Sequence, residues 1–454
     1  IEQISAQYGI NPNTVETFTA TGGSVNADTD NLYECKTGTS IGGYGVIRTK
    51  KPTIYREGIG LMTRFTAIFD EANAVDNSLQ FAGLFNVQDT VAFGYRGSNF
   101  GILLDNYGAQ EQQSLQITVA GNGTLALTLN SVQYDIPITS GTVQHNAYEI
   151  EAWMLANQSV WNVEQVDDTV FFQNKNAAAA AGTYSVSGAG LSGTFTSITT
   201  GTAKTQSTIN EEDWNGESVT FDKTKGNVFM IKVSYLGFGP ISFYILCPTE
   251  RVFKKVHTID YQNAYTKPSV SNRALKVGWV AASLGSTTDI SVKGASAGTF
   301  IEGQSSINGV AHAQSNSNGS VSTSFEAVLT IKALETYQSK AMMGRVVFQR
   351  LAISTDSTKE VVFKISKDAT LGETNFQYHD SSDSVALYDT GDHADSGNAH
   401  ALYEGQIGAS GAAEINLKEL GIDILANEYI TVFAKVVSGS ASDVTASLTW
   451  KEDF

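Results

Sequence analysis

Cysteine is nearly absent: the 454 residues include only Cys35 and Cys247. Two thiols exclude a disulfide framework, so stability has to come from packed cores. Both lie in apolar, strand-like surroundings, Asn-Leu-Tyr-Glu-Cys and Phe-Tyr-Ile-Leu-Cys. They read as two buried thiols, with a single bridge between them as the alternative. Proline is scarce as well, at 6 residues, which argues against Pro-rich stalks and linkers. Charge is sparse at 17%, and basic charge is in deficit: 29 Lys and Arg against 46 Asp and Glu leave −17. Such a surface repels nucleic acid and anionic lipid, because affinity for phosphate comes mainly from Lys and Arg. No apolar run approaches the ~18 residues that span a bilayer, so membrane insertion is not expected. The given residues contain no signal peptide, and a chain opening at Ile1 leaves what precedes it open.

What is present is a chain of many short strands. The 42 glycines suit numerous tight turns, and hydrophobic residues make up 41%. The length exceeds the ~250–300 residues at which single cores stop growing, so two or three domains are expected. Phe65, Ala67 and Phe69 alternate with Thr66 and Ile68, the period of a strand with one buried face. Phe93 to Gly97 and Phe100 to Leu104 look like hairpin strands around Gly97-Ser98-Asn99. The character changes near residue 110. Short strands at Leu115 to Val119, Thr124 to Leu129 and Val132 to Ile138 lead into a helix over about Thr142 to Asn157, with Ala147, Ile150 and Met154 on one face. The Ala177 to Ala181 run reads as a helical turn or a flexible tip.

From Asn227 the earlier strand pattern resumes. The expected organisation is a β-sandwich over residues 1–110 and 208–303, split by a small α+β insert over 111–207. Long insertions into surface loops cost little, ~0.6 kcal/mol per doubling of loop length. The Ser/Asn/Gly-rich stretch 304–324 reads as a solvated linker, and residues 325–454 as a second β-sandwich. Within that domain Glu414 to Leu420 reads as a single helical turn. No long-period repeat is visible.

Particular phrases carry a resemblance. Gly83-Leu84-Phe85-Asn86, Phe93-Gly94-Tyr95, Phe100-Gly101-Ile102-Leu103, Lys225-Gly226-Asn227-Val228 and Tyr235-Leu236-Gly237-Phe238-Gly239 belong to it. So do His257-Thr258-Ile259 with Pro268-Ser269, Val277-Gly278-Trp279 to Phe300-Ile301-Glu302-Gly303, and the closing Ser447 to Asp453. Together they resemble structural proteins of tailed bacteriophages and of large DNA viruses of algae and protists, over most of the chain. The resemblance implies a concanavalin-like jelly roll carried on a virion in a fibre, spike or capsid-associated layer. It implies no catalytic residues.

Several constellations bear on chemistry. Glycoside hydrolases on lectin-like sandwiches need two carboxylates across a cleft, ~5–5.5 Å apart in retaining enzymes. Glu149 and Glu151 fall on the predicted helix, where i and i+2 point apart, and Glu211-Glu212-Asp213 reads as a solvated turn. Asn26 to Asn31 begins like a calcium loop but lacks the glycine at its sixth position and has Thr37 where a bidentate Glu belongs. A loop capped by its own side chains is the better reading. The densest polar cluster is His379, Asp380, Asp383, Asp389, Asp392, His393, Asp395 and His400. Its spacing matches no metal motif, so an acidic solvated loop is favoured over a cation site. His145 and His257 are isolated and read as structural. Among Trp153, Trp161, Trp214, Trp279 and Trp450, most read as core, and Trp214 as the best exposed platform for a sugar.

The sequence therefore leads to an all-β protein, a concanavalin-like jelly-roll sandwich with an α+β insert and a C-terminal sandwich. A non-enzymatic, surface-exposed virion protein is expected, with no catalytic residues, no metal and no cofactor. Its expected partners are copies of itself, as a trimer, other capsid or fibre proteins, and neutral host glycans. A secreted cellular adhesin is the alternative, followed by a glycan depolymerase.

Overall fold

The computed structural model describes residues 2–54, 60–178, 182–234, 236–302, 309–338, 340–342, 344–372, 374–391, 393–395 and 400–453. Two compact units result. Unit 1 combines Ile1–Ala109 with Thr202–Ser305, and unit 2 combines Gln110–Gly201 with Ser306–Phe454.

Unit 1 is a sandwich of two antiparallel sheets, one of nine strands and one of eight. The strand Leu61–Phe69 shows how sequence sets the packing. Leu61, Thr63, Phe65, Ala67 and Phe69 are buried while the residues between them are not. Across from it, Ala274–Ser283 turns Leu275, Val277, Trp279 and Ala281 into the same core. Phe65, Phe69, Phe93, Phe100, Phe229 and Phe243 fill the centre, with ring centroids 4.8–5.9 Å apart for the pairs Phe93–Phe229, Phe69–Phe100, Phe93–Phe243, Phe65–Phe229 and Phe69–Phe229. The all-β jelly-roll architecture implied by the sequence is thus present. Trp279 bonds from one sheet to the other, its Nε1 donating to the Thr66 carbonyl at 2.8 Å. Gly294 makes room for it, since a Cβ there would stand 2.2 Å from the indole. Cys35 and Cys247 are both buried and unpaired thiols.

Unit 1 closes on itself where the chain leaves it and returns. Ala109 and Thr202 exchange backbone hydrogen bonds in both directions, at 3.0 and 2.9 Å. The next strand, Thr205–Asn210, pairs with Asn99–Asn106 as the edge of the eight-stranded sheet.

In unit 2, residues 110–201 form a four-stranded and a three-stranded sheet with one long helix, Val143–Asn157. Thr142 caps that helix, its side chain accepting from the His145 N–H. Ala147, Ile150 and Met154 face the core with Leu125, Leu127, Trp161 and Phe172. The Ala177 to Ala181 run begins as the end of the strand Thr169–Ala177, and residues 179–181 lie outside the described ones.

The rest of unit 2 is a second sandwich, of five-stranded and six-stranded sheets around Phe348, Phe363, Leu448 and Trp450. Two local expectations are corrected here. Most of the stretch read as a linker is a strand: Ala311–Val321 pairs with Ser442–Asp453, while residues 303–308 lie outside the described ones. Its inward positions carry His, Gln and Asn instead of apolar residues, and Asn316 and Asn318 donate to the Val328 and Ala327 carbonyls at 2.8 and 2.9 Å. Hydrogen bonds thus take the place of the apolar alternation that a sequence reading needs. Likewise Glu414 to Asn416, expected as the start of a helical turn over Glu414 to Leu420, belong to the strand Ala412–Asn416 paired with Arg345–Thr355, and the turn comes only at Leu417.

If unit 1 is self-contained, residues 1–305 with 110–201 replaced by a short Gly-Ser turn should fold. The doubly bonded Ala109–Thr202 pair brings the cut ends together. We expect a soluble monomeric sandwich with one cooperative melt by circular dichroism; a gradual, non-cooperative melt would refute it.

Candidate functional site

Strand registers bring several loops of unit 1 to one end. They are residues 86–89, 106–109, 234 with 236–240, and 260–273. Asn86 organises the first loop and ties it to the last. Its Oδ1 accepts from the Gln88 and Asp89 N–H groups, both at 2.7 Å, and its Nδ2 donates to the Asn272 and Ala274 carbonyls at 3.1 and 3.0 Å. Asp89 continues the tie, accepting from Ser271 N and Oγ and from Asn272 N at 2.8–3.0 Å. Burial raises the Asp89 pKa, against the pull of these donors and of Lys204. Lys204 is largely buried and donates to Asn86 O at 3.2 Å and Thr90 Oγ1 at 3.3 Å. Burial lowers its pKa, against the attraction of Asp105 and Asp89.

On this frame sit aromatic rings. Tyr261 is buried and Tyr265, one helical turn on, is 57% exposed, with centroids 4.9 Å apart. The Tyr107 hydroxyl bonds the Pro268 carbonyl, and Lys267 Nζ lies 5.0 Å from the Tyr107 ring centre. The loop carrying Leu236 and Phe238 joins at Ser269, whose N–H donates to Gly237 O at 2.7 Å. Gly237 has φ +79°, a conformation glycine adopts without strain. Leu236 and Phe238 are 68% and 39% exposed. Burial pushes the Tyr261 phenol up to about 12, so it is neutral at physiological pH. Tyr265, Phe238, Leu236 and Lys267 are thus exposed on loops gathered at one end of the sandwich and pinned by buried hydrogen bonds. Rings held this way can stack on the C–H face of a sugar while nearby polar groups bond hydroxyls.

Sequence marked none of these residues as a binding site: Asn86, Leu236 to Phe238, Pro268 and Ser269 only carry the resemblance, and Tyr107, Tyr261, Tyr265 and Lys267 drew no reading. A signal existed in the spacing Tyr261-x₃-Tyr265 within a Pro- and Asn-containing loop, but without the fold it is an ordinary surface turn. Trp214, the platform expected instead, is half-buried. It packs against Phe93 and Phe100 with centroids at 5.8 and 6.2 Å and donates to Ile209 O at 3.2 Å. Trp161, Trp279 and Trp450 are core residues, and Trp153 packs edge-on against Tyr134.

The other sequence candidates occupy separate places. Glu149 accepts from Thr139 N and Oγ1, whereas Glu151 accepts from Gln165 N. His145 Nε2 lies 2.9 Å from Thr139 Oγ1. His257 Nδ1 accepts from Asn215 N at 3.2 Å, and burial lowers its pKa. Glu211 pairs with Lys223 at 2.8 Å. Asp28 Oδ1 caps its own loop, accepting from Asp30 N and Leu32 N at 3.0 and 2.9 Å. The His379 to His400 cluster disperses. His393 bonds Asp389 at 2.8 Å, Asp395 pairs with Lys364 at 2.5 Å, Asp380 caps the turn at Ser382 and Asp383, and His379 packs on Trp450. His400 opens a strand, and Asp392 lies outside the described residues. Among the described residues, no three His, Cys, Asp or Glu side chains gather around a common metal position.

Unit 2 holds a buried charge cluster that the sequence reading missed. Lys332 Nζ lies 3.7 Å from Glu151 Oε1 and 3.6 Å from Glu164 Oε1. Glu164 Oε2 accepts from Glu335 N at 3.0 Å, and Glu335 Oε1 accepts from Asn162 Nδ2 at 2.7 Å. Val166, Phe171, Leu334, Phe376 and Leu387 seal the same junction. The water-sized cavity lined by Glu164, Gln173 and Glu335 is too small for an organic ligand. The cluster therefore joins residues 110–201 to the second sandwich. Burial pushes Glu164 up to about 7, against the attraction of Lys332.

No protein-family model matches the chain, and no curated protein matches it in sequence. Among solved structures it is similar to lectin II from Ulex europaeus, at 9% identity and TM-score 0.24, over 66% of this chain and 98% of that one. It is also similar to arcelin-5, a lectin-like defense protein from Phaseolus vulgaris, at 8% and 0.26, over 67% and 100%. A third is the exoplasmic/lumenal domain of VIP36 bound to Ca²⁺ and Man3GlcNAc, at 10% and 0.27, over 67% and 90%. At such identities and TM-scores these likenesses carry no argument about this chain's site.

Two substitutions probe these arrangements. Asn86→Ala leaves buried partners unpaired and should destabilise unit 1 by about 2–3 kcal/mol in urea melts. Glu164 has its folded pKa raised from 4.5 to about 7, so between those values the folded state holds a proton that the unfolded state has lost. Its contribution to stability therefore falls as pH rises through that window, by up to ~1.4 kcal/mol per unit. Glu164→Gln should flatten this slope relative to the parent, as read by melts from pH 4.5 to 8.

Proposed function

We propose that the chain is a non-enzymatic, surface-exposed structural protein of a virus particle that presents unit 1 as a weak glycan-binding module. The observation that carries the binding half is the exposed Tyr265 ring backed by buried Tyr261 on hydrogen-bonded loops. A hydrophobic ring fixed in water is costly unless something covers it, and pre-ordered loops lose little entropy on binding. The virion half rests on the resemblance in sequence. A surface low in charge and rich in Ser, Thr, Asn and Gln also suits wet contacts between packed subunits. Of the carboxylates weighed for a hydrolase, Glu149, Glu151 and Glu211 are engaged in other bonds, which favours binding over cleavage.

A single open site buries little area, so millimolar affinity is expected, ~−4 kcal/mol, raised ~10²–10⁴-fold by multivalent display. Net charge −17 disfavours acidic glycans, leaving neutral sugars. The same sandwich on a secreted cellular adhesin is the second reading, and a signal peptide upstream of Ile1 would favour it.

A glycan array probed with the multimerised full chain tests the binding half. Neutral glycans should bind, and Tyr265→Ala should cut the signal at least tenfold with an unchanged melting temperature. A blank array, or an undiminished Tyr265→Ala signal, removes the module at this end. Mass spectrometry of purified particles tests the virion half independently.

A further inference from the structure

We infer that the edge strand Ala311–Val321 of unit 2 is a self-association surface, pairing antiparallel with the same strand of a second copy across a two-fold axis. The strand is the outer member of its five-stranded sheet, and among the described residues no strand pairs with its free edge. In an antiparallel ladder every second residue turns its N–H and C=O away from the one partner it has. In this eleven-residue strand, Ala311–Val321, the regular ladder from Ala311 to Ser317 leaves a row of backbone donors and acceptors open to another chain.

Three observations say that the occupant is a second copy. The first is charge. The chain carries −17, so two copies repel, yet Ala311-His-Ala-Gln-Ser-Asn-Ser-Asn-Gly-Ser-Val321 contains no Asp, Glu, Lys or Arg. Several other sheet edges carry charge: Phe253–Ile259 has Lys254 and Lys255, Val15–Ala20 has Glu16, His400–Ile407 has Glu404, and Ala412–Asn416 has Glu414. Uncharged edges elsewhere are shorter: Ser192–Thr199 spans eight residues, Thr205–Asn210 six, Ser24–Ala27 and Ser185–Gly188 four each, and Gln377–Tyr378 two.

The second is shape. The outward side chains Ala311, Ala313, Ser315 and Ser317 are small and exposed, so a partner strand can approach to the ~4.8 Å spacing of a sheet. The third is rigidity. Asn316 and Asn318 anchor the strand to the facing sheet, and Ser317 Oγ meets Thr445 Oγ1 at 2.6 Å. The register with Ser442–Asp453 runs unbroken from Ala311 to Asn318. A template already held straight loses little entropy on pairing. Two five-stranded sheets would become one continuous sheet of ten. Such pairing is two-fold by construction, so it gives a dimer or an even-numbered assembly where the sequence reading expected a trimer.

Sedimentation velocity of the full chain from low to high micromolar concentration tests this. A concentration-dependent dimer is expected, and Ala313→Lys with Ser315→Lys, whose side chains are exposed and make no anchoring bond, should convert it to monomer with an unchanged melting temperature. Single cysteines placed in turn at positions 313 to 317 supply a second readout, because Cys35 and Cys247 are buried. At the two-fold axis facing Cα atoms lie ~4.5–5.5 Å apart, within disulfide reach. One position or two adjacent ones should crosslink on oxidation, and the flanking ones should not. A parent chain that stays monomeric, a dimer that survives the lysine pair, or a cysteine series with no crosslink would each overturn the inference.

Discussion

The indole of Trp279 donates from the middle of one sheet of unit 1 to the Thr66 carbonyl in the facing sheet, 2.8 Å away. Much else in the unit is arranged around that one inter-sheet bond. The indole is fully buried, so its N–H had to find a partner inside, and leaving it unpaired would cost ~1–3 kcal/mol. A bond of fixed length also sets how far apart the sheets stand at that point. Gly294 lies beside the ring because no side chain fits there, and Tyr33 tilts against it at 5.8 Å. The strands Ala274–Ser283 and Leu61–Phe69 are therefore held in register with each other as well as within their own sheets. The loops following from those strands inherit that order.

Loop geometry in unit 1 depends on the frame in this way. Residues 260–273 lead directly into the Trp279 strand, and Asn86 and Asp89 fasten them to the neighbouring hairpin. A buried Asn with every side-chain hydrogen-bonding group engaged substitutes for backbone pairing that loops lack. Tyr265 gains its fixed exposure from this, since its own contacts with Tyr261 would not by themselves hold a loop. The site is thus a consequence of satisfying buried polar groups at the end of a sandwich. A module of this kind changes its ligand by altering loop tips while the frame beneath stays the same.

Legibility in the sequence followed the balance between apolar patterning and hydrogen bonding. Leu61–Phe69 was readable because period-two burial writes itself as Phe65, Ala67 and Phe69. The helix Val143–Asn157 was readable from Ala147, Ile150 and Met154 on one face. Ala311–Val321 was not, because its inward side chains make hydrogen bonds where apolar ones would normally pack. Trp214 looked exposed beside Asp213, Asn215 and Gly216, yet its ring turns into the Phe93–Phe100 cluster while its polar neighbours stay outside. The Tyr107–Tyr261–Tyr265 group and the Lys332–Glu151–Glu164–Glu335 group share a different obstacle. Each joins residues far apart in the chain, so a local spacing such as Tyr261-x₃-Tyr265 announces only a fragment of it.

The buried charges of unit 2 show what a chain poor in charge does with the few it buries. Lys332 faces three carboxylates, more negative charge than one ammonium can balance in a medium of low dielectric. The excess is relieved by Glu164 holding a proton near neutrality. An apolar plug of the same volume would be at least as stable, because desolvating ions is expensive. What the cluster adds is selectivity. Lys332 with Glu164 and Glu335 accepts one docking geometry between residues 110–201 and the second sandwich, and a slipped register would leave an unpaired charge in the junction. Val166, Leu334 and Leu387 would tolerate such a slip by themselves, since apolar contacts are non-directional. Ionic pairing thus fixes the geometry that hydrophobic burial stabilises, much as the single indole bond does in unit 1.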